Sequence, residues 1–469
     1  MKDSIESIIK SVIDSVIRQN CILAGISLYI RRTAVLMTFL MIVFQCFSVI
    51  AATNYVWSES PSPTPPYTSW STAARTIQEA IDSAQEGDTV LVTNGIYSSG
   101  GREVDGVITN RVTIDKPLLV QSVNGPEYTL IVGSSGLNGG NSDGAIRCVY
   151  MCTNATLIGF TLTNGHTATT NYNCDENSGG GALCGTGCVI SNCVFIKNSA
   201  DYGGGVCRGT LYDCILTNNS ATFDGGGAYL LSTLYNCTLA NNSAGVLGGG
   251  VSFCTLYNST LTGNFADKWG GGGADTSTLY NCTLIGNLSS DGGGAIYSKL
   301  YNCILTDNVA DDGGGADGSW LYNCTVAGNS AMYSAGGVGH CTNYNCIVFY
   351  NTAPNYSNYY YSIFNYSCTA PFLLGEGNID YEPMFVDLTL SNLRLQPNSP
   401  CINAGNTDYV VNEIDLDGNP RVVDYIVDMG AYEYQRVLNS PKTYYVNAES
   451  QSPTPPYTSW STAARTIQE

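Results

Sequence analysis

Between residues 190 and 351 one pattern of apolar and polar positions recurs, in segments such as "LYNCTLANNSAGVLGGG", "LYNCTLIGNLSSDGGGA" and "LYNCILTDNVADDGGGA", every 21 to 23 residues. Aligned on one slot, the rows carry Cys193, Cys214, Cys237, Ser259, Cys282, Cys303, Cys324 and Cys346. Five residues after each slot comes Asn: Asn198, Asn219, Asn242, Asn264, Asn287, Asn308, Asn329 and Asn351. The slot residue and the Leu two places on alternate with polar Thr, the period of a strand with one face turned inward. The Leu before them, as in Leu234 or Leu279, ends the preceding strand facing inward, so the Tyr-Asn pair between forms a two-residue corner.

A period near 22 is too short for helical repeats of about 33 residues or more, and the leucine-rich framework is missing. Left-handed β-helices use about 18 residues per coil. The pattern therefore predicts an all-β fold: a right-handed parallel β-helix, a three-sided solenoid of 21 to 23 residues per coil. Asn suits a corner because it tolerates the left-handed backbone. Stacked on one another, Asn236, Asn258, Asn281, Asn302, Asn323 and Asn345 are expected to form a buried amide ladder, each side chain bonded to the copies above and below. Gly triplets at 179–181, 203–205, 225–227, 248–250, 271–273, 292–294 and 313–315 mark another corner. "TLIGFTLTNG" at 156–165 fits the row with Phe160 in the Cys slot, 112–123 read as an earlier strand pair, and an inserted loop is expected between Gly165 and Cys188.

A solenoid needs covered ends, because bare strand edges template aggregation. At the N-terminal end "STAARTIQEAIDSAQEGDTVLV" predicts a short helix with Ala74, Ile77, Ala80, Ile81 and Ala84 on one face, followed by a strand at Thr89–Val92. Residues 1–52 have the order of a secretory signal: Arg31 and Arg32, an apolar run from Ala34 to Phe44 and onward, then Ala51 and Ala52 at a cleavage site. A retained membrane anchor is the other reading of that run. The expected organisation is a signal peptide at 1–52, linker and cap at 53–100, β-helix at 101–375, C-terminal coils and module at 376–440, and a linker with the start of a second unit at 441–469. That last expectation rests on residues 452–469, which repeat residues 62–79 without a change. It makes the protein a monomer or part of a tandem array.

Composition narrows the function classes. Charged residues are only 12% of the chain, Gly (52) and Tyr (32) are abundant, and 38 acids against 19 bases leave a net charge of −19. Such a chain gains nothing from counterion release, which excludes nucleic acid as a partner. Seven of the 19 Cys share the inward slot and read as small buried hydrophobes; side chains stacked on neighbouring parallel strands point the same way, which disfavours a disulfide. The loop pairs Cys148 with Cys152 and Cys184 with Cys188 are the better disulfide candidates. The two His, His166 and His340, lie outside any zinc spacing.

Two surface features carry candidate chemistry. Asp291, Asp311 and Asp312 beside the Gly triplets could hold Ca²⁺ through oxygen ligands, or raise one another's pKa, or form a solvated acidic loop. No cofactor is otherwise called for. Tyr212, Tyr235, Tyr257, Tyr280, Tyr301, Tyr322 and Tyr344 occupy one outward slot in seven rows. They either stiffen a corner or offer ring faces to a sugar or a protein partner. Glu413, Asp415, Asp417, Gly418 and Asp424 mimic a calcium-loop spacing, but Pro420 and the lack of flanking helices favour a turn. No catalytic residue is assigned.

The cap "TIQEAIDSAQEGDTVLV" resembles the start of pectin-lyase-like β-helix proteins. "GGGA" and "LTGN" resemble the repeats of chlamydial polymorphic outer membrane proteins, with Leu, Val or Ile where that family has Phe. "NSPCINAGN…DLDGNPR…VDMGAYEY" (398–434) is similar to the choice-of-anchor Q module of bacterial extracellular proteins, with Asn403 where that family more often has Asp. These resemblances imply a β-helix that is secreted or on the bacterial cell surface, a fold that hosts adhesins, lyases and hydrolases alike. The expected function is a non-catalytic scaffold for adhesion or for glycan or partner binding, with a polysaccharide or cell-surface partner. The alternative is a polysaccharide lyase or glycoside hydrolase of the same fold. The pectinolytic members use Arg or Lys bases, or Asp trios with His and Lys, and no such set shares a row here.

Overall fold

A computed structural model describes residues 51–104, 108–168, 176–423, 425–435, 445–453 and 463–466. The targeting segment expected at 1–52 lies outside them except for Ala51 and Ala52. No helix among the described residues is long and apolar enough to cross a membrane.

Each coil lays down three short strands, and stacked coils turn these into three sheets. The first holds 13 strands, from Thr53–Val56 to Ile363–Asn365; the second holds 12, from Gly95–Tyr97 to Cys368–Thr369; the third holds 12, from Arg102–Val104 to Tyr359–Tyr360. Neighbours pair in parallel, save Arg102–Val104 against Ile108–Ile114, which are antiparallel. The protein is thus an all-β parallel solenoid, as the pattern predicts. Leu211, Leu234, Leu256, Leu279, Leu300 and Leu321 stand in register inside the first sheet, all buried.

One coil explains the rest. Leu279 points inward, Asn281 turns the chain with a φ of 53°, and Cys282 and Leu284 point inward beside and along the second sheet. Gly286 makes the next turn at a φ of 61°, and Asn287 enters the interior. Gly292–Gly294 carry the chain to the third sheet, where Ala295 joins the core and Ile296 points outward. A Cβ at Gly294 would sit 2.5 Å from the Gly315 carbonyl oxygen, so the approach of adjacent coils itself demands glycine there.

The Cys slot does more than fill space. In Cys214, Cys237, Cys282, Cys303 and Cys324 the thiol donates at 3.3 Å to the carbonyl of the Tyr two residues back. Ser259 makes the same bond at 2.9 Å, so its hydroxyl replaces the thiol without stranding the turn. The loop disulfide candidates separate. Cys148 lies within the extended strand Ile146–Met151, and four residues of strand put Cys152 about 13 Å away, too far to bridge. Cys184 and Cys188 are both buried and near enough to act on each other's thiol.

The buried amide ladder exists, but one corner away from its expected place. Asn198, Asn219, Asn242, Asn264, Asn287, Asn308, Asn329 and Asn351 are the buried column, each Nδ2 donating to the next Oδ1 at 2.9–3.0 Å up to Asn351. At the Tyr-Asn corner Asn236 and Asn258 are exposed and Asn281 is half-buried, with looser bonds of 3.2–3.4 Å. Asn302, Asn323 and Asn345 are buried only because later residues cover them: they donate to the carbonyls of Ile414, Tyr409 and Asn406.

Helix α1 (Ile77–Ser83) covers the first coil, with Thr76 and Glu79 forming a reciprocal cap and Ile77, Ala80 and Ile81 buried. Among the described residues of 445–466, the start of this cap recurs bond for bond. Tyr55, Trp57 and Ala74 exchange backbone hydrogen bonds, and Tyr445, Asn447 and Ala464 do the same. Arg75 binds the Ser60 carbonyl as Arg465 binds that of Ser450. The segment expected as an insertion includes Ala182–Cys184, a regular strand of the third sheet, because Ala182 supplies the inward residue that the coil needs.

Residues 376–435 add no further coil. They fold back along the outside of the second sheet through the antiparallel pair Phe385–Asp387 and Asn392–Leu395. Phe385, Leu393, Leu395, Cys401, Met429 and Ala431 cover the outward side chains Ile304, Ala327 and Ile347. Arg421, fully buried, donates to Asn323 Oδ1 at 3.2 Å and to the Asp428 and Gly430 carbonyls. Asp415 accepts from the backbone of Asp417, Asn419 and Glu433, ordering a turn at the spacing that mimics a calcium loop. Asp424 lies outside the described residues.

Candidate functional site

The seven tyrosines form one unbroken stack on the outside of the first sheet. Ring centroids are 4.8–5.2 Å apart and planes tilt by 6–21°. Tyr409 closes the stack over Tyr344 at 4.2 Å. Tyr212, Tyr235, Tyr257, Tyr280, Tyr301, Tyr322 and Tyr344 therefore spend their faces on one another. The exposed platform of ring faces that the sequence allowed is replaced by a row of edges and hydroxyls, because the coil spacing leaves no gap for a sugar ring.

Asp291, Asp311 and Asp312 share one acidic corner, where Asp312 and Asp311 both repel Asp291. Asp311 and Asp312 sit where the strand is irregular, their two backbone N–H groups both donating to the Ser290 carbonyl. Asp291 and Asp312 meet across a backbone bridge, but the Ser334 hydroxyl donates to Asp312 at 2.5 Å. Among the described residues no group of three or more His, Cys, Asp and Glu could hold a metal ion. The trio expected to hold Ca²⁺ thus lines one acidic wall.

That wall borders a strip outside the third sheet. Tyr229, Ser252, Asp275, Ile296 and Asp317 are the outward residues of five successive strands, in direct register. Ser252, Asp275 and Ile296 point away from the core yet expose 0%, 1% and 2% of their surface, so flanking walls recess them. On one side stand the corner residues Phe253, Tyr297, His340 and Tyr361, each turning the chain at positive φ. On the other stand Tyr202, Phe223, Asp224, Asp291 and Asp312. Tyr202 stacks on Phe223 at 5.3 Å and leans on Tyr229 at 5.2 Å, which gives the strip an aromatic end.

The acids of the strip are held toward their neutral forms. Burial, then Asp275, pushes Asp224 up to about 6. Burial also raises Asp275 against the hydrogen bonds from Ser252 (2.9 Å) and Thr276. It raises Asp291, with Asp317, Asp312 and Asp311 adding repulsion, and Asp317, which His340 Nδ1 meets at 3.0 Å. Toward the N-terminal end the same face carries a pocket of about 330 Å³ lined by Asn110, Arg147, Tyr150, Leu183, Cys184 and Arg208 among others. Arg147 is fixed there by Asn110 Oδ1 at 2.7 Å and by the Ser178 and Gly179 carbonyls.

Chemically, the strip offers aromatic faces for apolar ring surfaces, and beside them carboxyls that burial shifts toward the protonated form. The sequence signal for it was the second residue after each Gly triplet. That position holds Tyr229, Ser252, Asp275, Ile296 and Asp317, after an Ala or a Val in every row. Attention to the acids before the triplets found one wall and missed the floor.

Several solved structures are similar to this chain. Pectate lyase Pel9A is 16% identical over 82% of this chain and 98% of its own, with a TM-score of 0.46. XylC in complex with xylose is 10% identical over 82% and 98%, with a TM-score of 0.39. The polygalacturonase of Erwinia carotovora ssp. carotovora is 10% identical over 67% and 95%, with a TM-score of 0.34. No curated protein matches the chain. Residues 281–299 match the repeat of the Chlamydia polymorphic membrane proteins, so one coil of the stack carries that family's repeat.

Proposed function

We propose that this chain is a secreted or cell-surface β-helix scaffold that holds an extended glycan along the outside of its third sheet without cleaving it. The observation that carries this reading is the accessible row of Tyr229, Phe223, Phe253, Tyr297 and Asp317 set along a buried floor that is in register over five strands. The even spacing of the coils suits a repeating polymer. Aromatic walls at Tyr202, Phe223 and Phe253 suit sugar faces, and sheltered carboxyls suit hydroxyl groups. The acidic lining repels polyuronates, so the preferred ligand is neutral or carries amino groups.

One observation favours a hydrolase instead: Asp224, pushed up to about 6, interacts with Asp275 on the same strip. Two carboxyls with displaced pKa values are what a general acid and its partner require. Titrating the chain with neutral, amino-sugar and uronic-acid oligosaccharides, while assaying reducing ends, separates the readings. The scaffold reading expects neutral or amino oligomers to bind, uronates not to bind, and no reducing ends to form. Phe253→Ala with Tyr229→Ala should weaken binding about tenfold or more. Turnover abolished by Asp224→Asn or Asp275→Asn would make the chain an enzyme.

A further inference from the structure

The column of inward thiols ends at Cys346, because the next coil places Ser367 in that slot, where its hydroxyl bonds the Cys346 backbone at 2.9 Å. The cysteine of that coil is one position later. Cys368 pairs in register with Ile347, the outward position of the second sheet. It therefore faces the C-terminal module, not the core of the stack. Cys401 of that module arrives opposite, within the apolar cluster of Ile347, Phe385, Leu393, Leu395 and Met429. Both residues are fully buried in this one cluster, Cys368 from the last coil and Cys401 from the module. Cys368 also donates to the Tyr381 carbonyl at 3.1 Å, which holds its thiol at the seam.

The obstacle that separates the ladder thiols from oxidation is absent here. Stacked cysteines leave parallel strands in the same direction, whereas Cys368 and Cys401 approach from two elements packed face to face. We propose that Cys368 and Cys401 form a disulfide that clamps the C-terminal module to the last coil. Two thiols lose two electrons and two protons to a disulfide oxidant, such as glutathione disulfide or an oxidised dithiol protein, which leaves as two thiols. Because the pair is buried once the module has docked, the bond forms during docking and is afterwards shielded from reductants. Its presence in the cell rests on the extracytoplasmic reading above.

The full chain is refolded with a mixture of reduced and oxidised glutathione, unfolded in the presence of excess alkylating agent, digested without reduction and mapped by mass spectrometry. The expected result is a peptide containing Cys368 joined to one containing Cys401, with Cys282, Cys303, Cys324 and Cys346 alkylated. The oxidised chain should melt several degrees above the reduced chain, and Cys401→Ser should abolish that difference. Alkylation of both Cys368 and Cys401, or their capture by other cysteines, overturns the proposal. Supplying the oxidant in vitro keeps the test independent of compartment. A bond that forms there but is missing from the native protein would count against surface localisation and not against the pair.

Discussion

At the scale of the residue, Asn287 shows what holds the coils in register. Its Nδ2 donates to Leu261 O and Asn308 Oδ1, both at 2.9 Å, and its Oδ1 accepts the backbone and side-chain N–H of Asn264, also at 2.9 Å. Every hydrogen-bonding site of a buried amide is used. Asn287→Leu strands groups on two neighbouring coils, at about 1–3 kcal/mol for each buried group left unpaired. Asn258→Gly removes an exposed amide whose bond to Asn236 is 3.4 Å long, at a position with φ of 50° that glycine accepts. Denaturant titration should therefore show Asn287→Leu losing several kcal/mol, about three or more, and Asn258→Gly losing about one or less. Equal losses would mean that the buried ladder is not a principal tie between coils. The same residues explain the misplaced expectation. Left-handed tolerance correctly assigned Asn to the Tyr-Asn corner. At the next corner Gly263, Gly286 and Gly328 take the left-handed position, which frees the following Asn to turn inward. Tolerance for a turn and burial of an amide are separate reasons for Asn: Asn218 and Asn241 serve the first just before Asn219 and Asn242, which serve the second.

At the scale of the element, the C-terminal module is a polar core docked on an apolar seam. Arg421 Nη1 and Glu433 Oε2 are 4.0 Å apart with both side chains buried. Burial, reinforced by Asp428, outweighs that cation and pushes Glu433 up to about 8, while burial lowers Arg421. The folded state thus holds a proton on Glu433 that the unfolded state has released above its ordinary value of 4.5. With more protons bound in the folded state, stability falls as pH rises from about 4.5 to about 8 and is level beyond. Denaturant midpoints of the wild type should decline across that window, and Glu433→Gln, neutral at every pH, should flatten the decline. An unchanged slope in the variant would mean that Glu433 is ionised in the fold. None of this was legible from the chain. The module lacks a repeat, and Arg421, Asp428 and Glu433 look like surface residues until Asn323 and Asn345 are seen beneath them.

At the scale of the whole molecule, the legible part was the part that repeats. Coil length, the inward Leu and Cys columns, the tyrosine row and the capping helix follow from periodicity, because each row imposes the same neighbours on the next. The site was half legible. Asp291 and Asp312 border the strip, but its floor varies from Tyr229 to Ser252 to Asp275, and variation inside a repeat reads as tolerance until the register shows those positions sharing one recess. A net charge of −19 adds an electrostatic preference for ligands that are not polyanions. The account stands on the third sheet being the working face, and hydrogen exchange on the chain saturated with a bound oligosaccharide tests this most directly. Protection is predicted in Val206–Cys207, Ala228–Tyr229, Val251–Ser252, Ala274–Asp275 and Ala295–Ile296 and in the corners that follow them. Protection confined to the tyrosine-bearing strands Thr233–Tyr235, Thr255–Tyr257 and Thr278–Tyr280, with the third sheet unchanged, would contradict it.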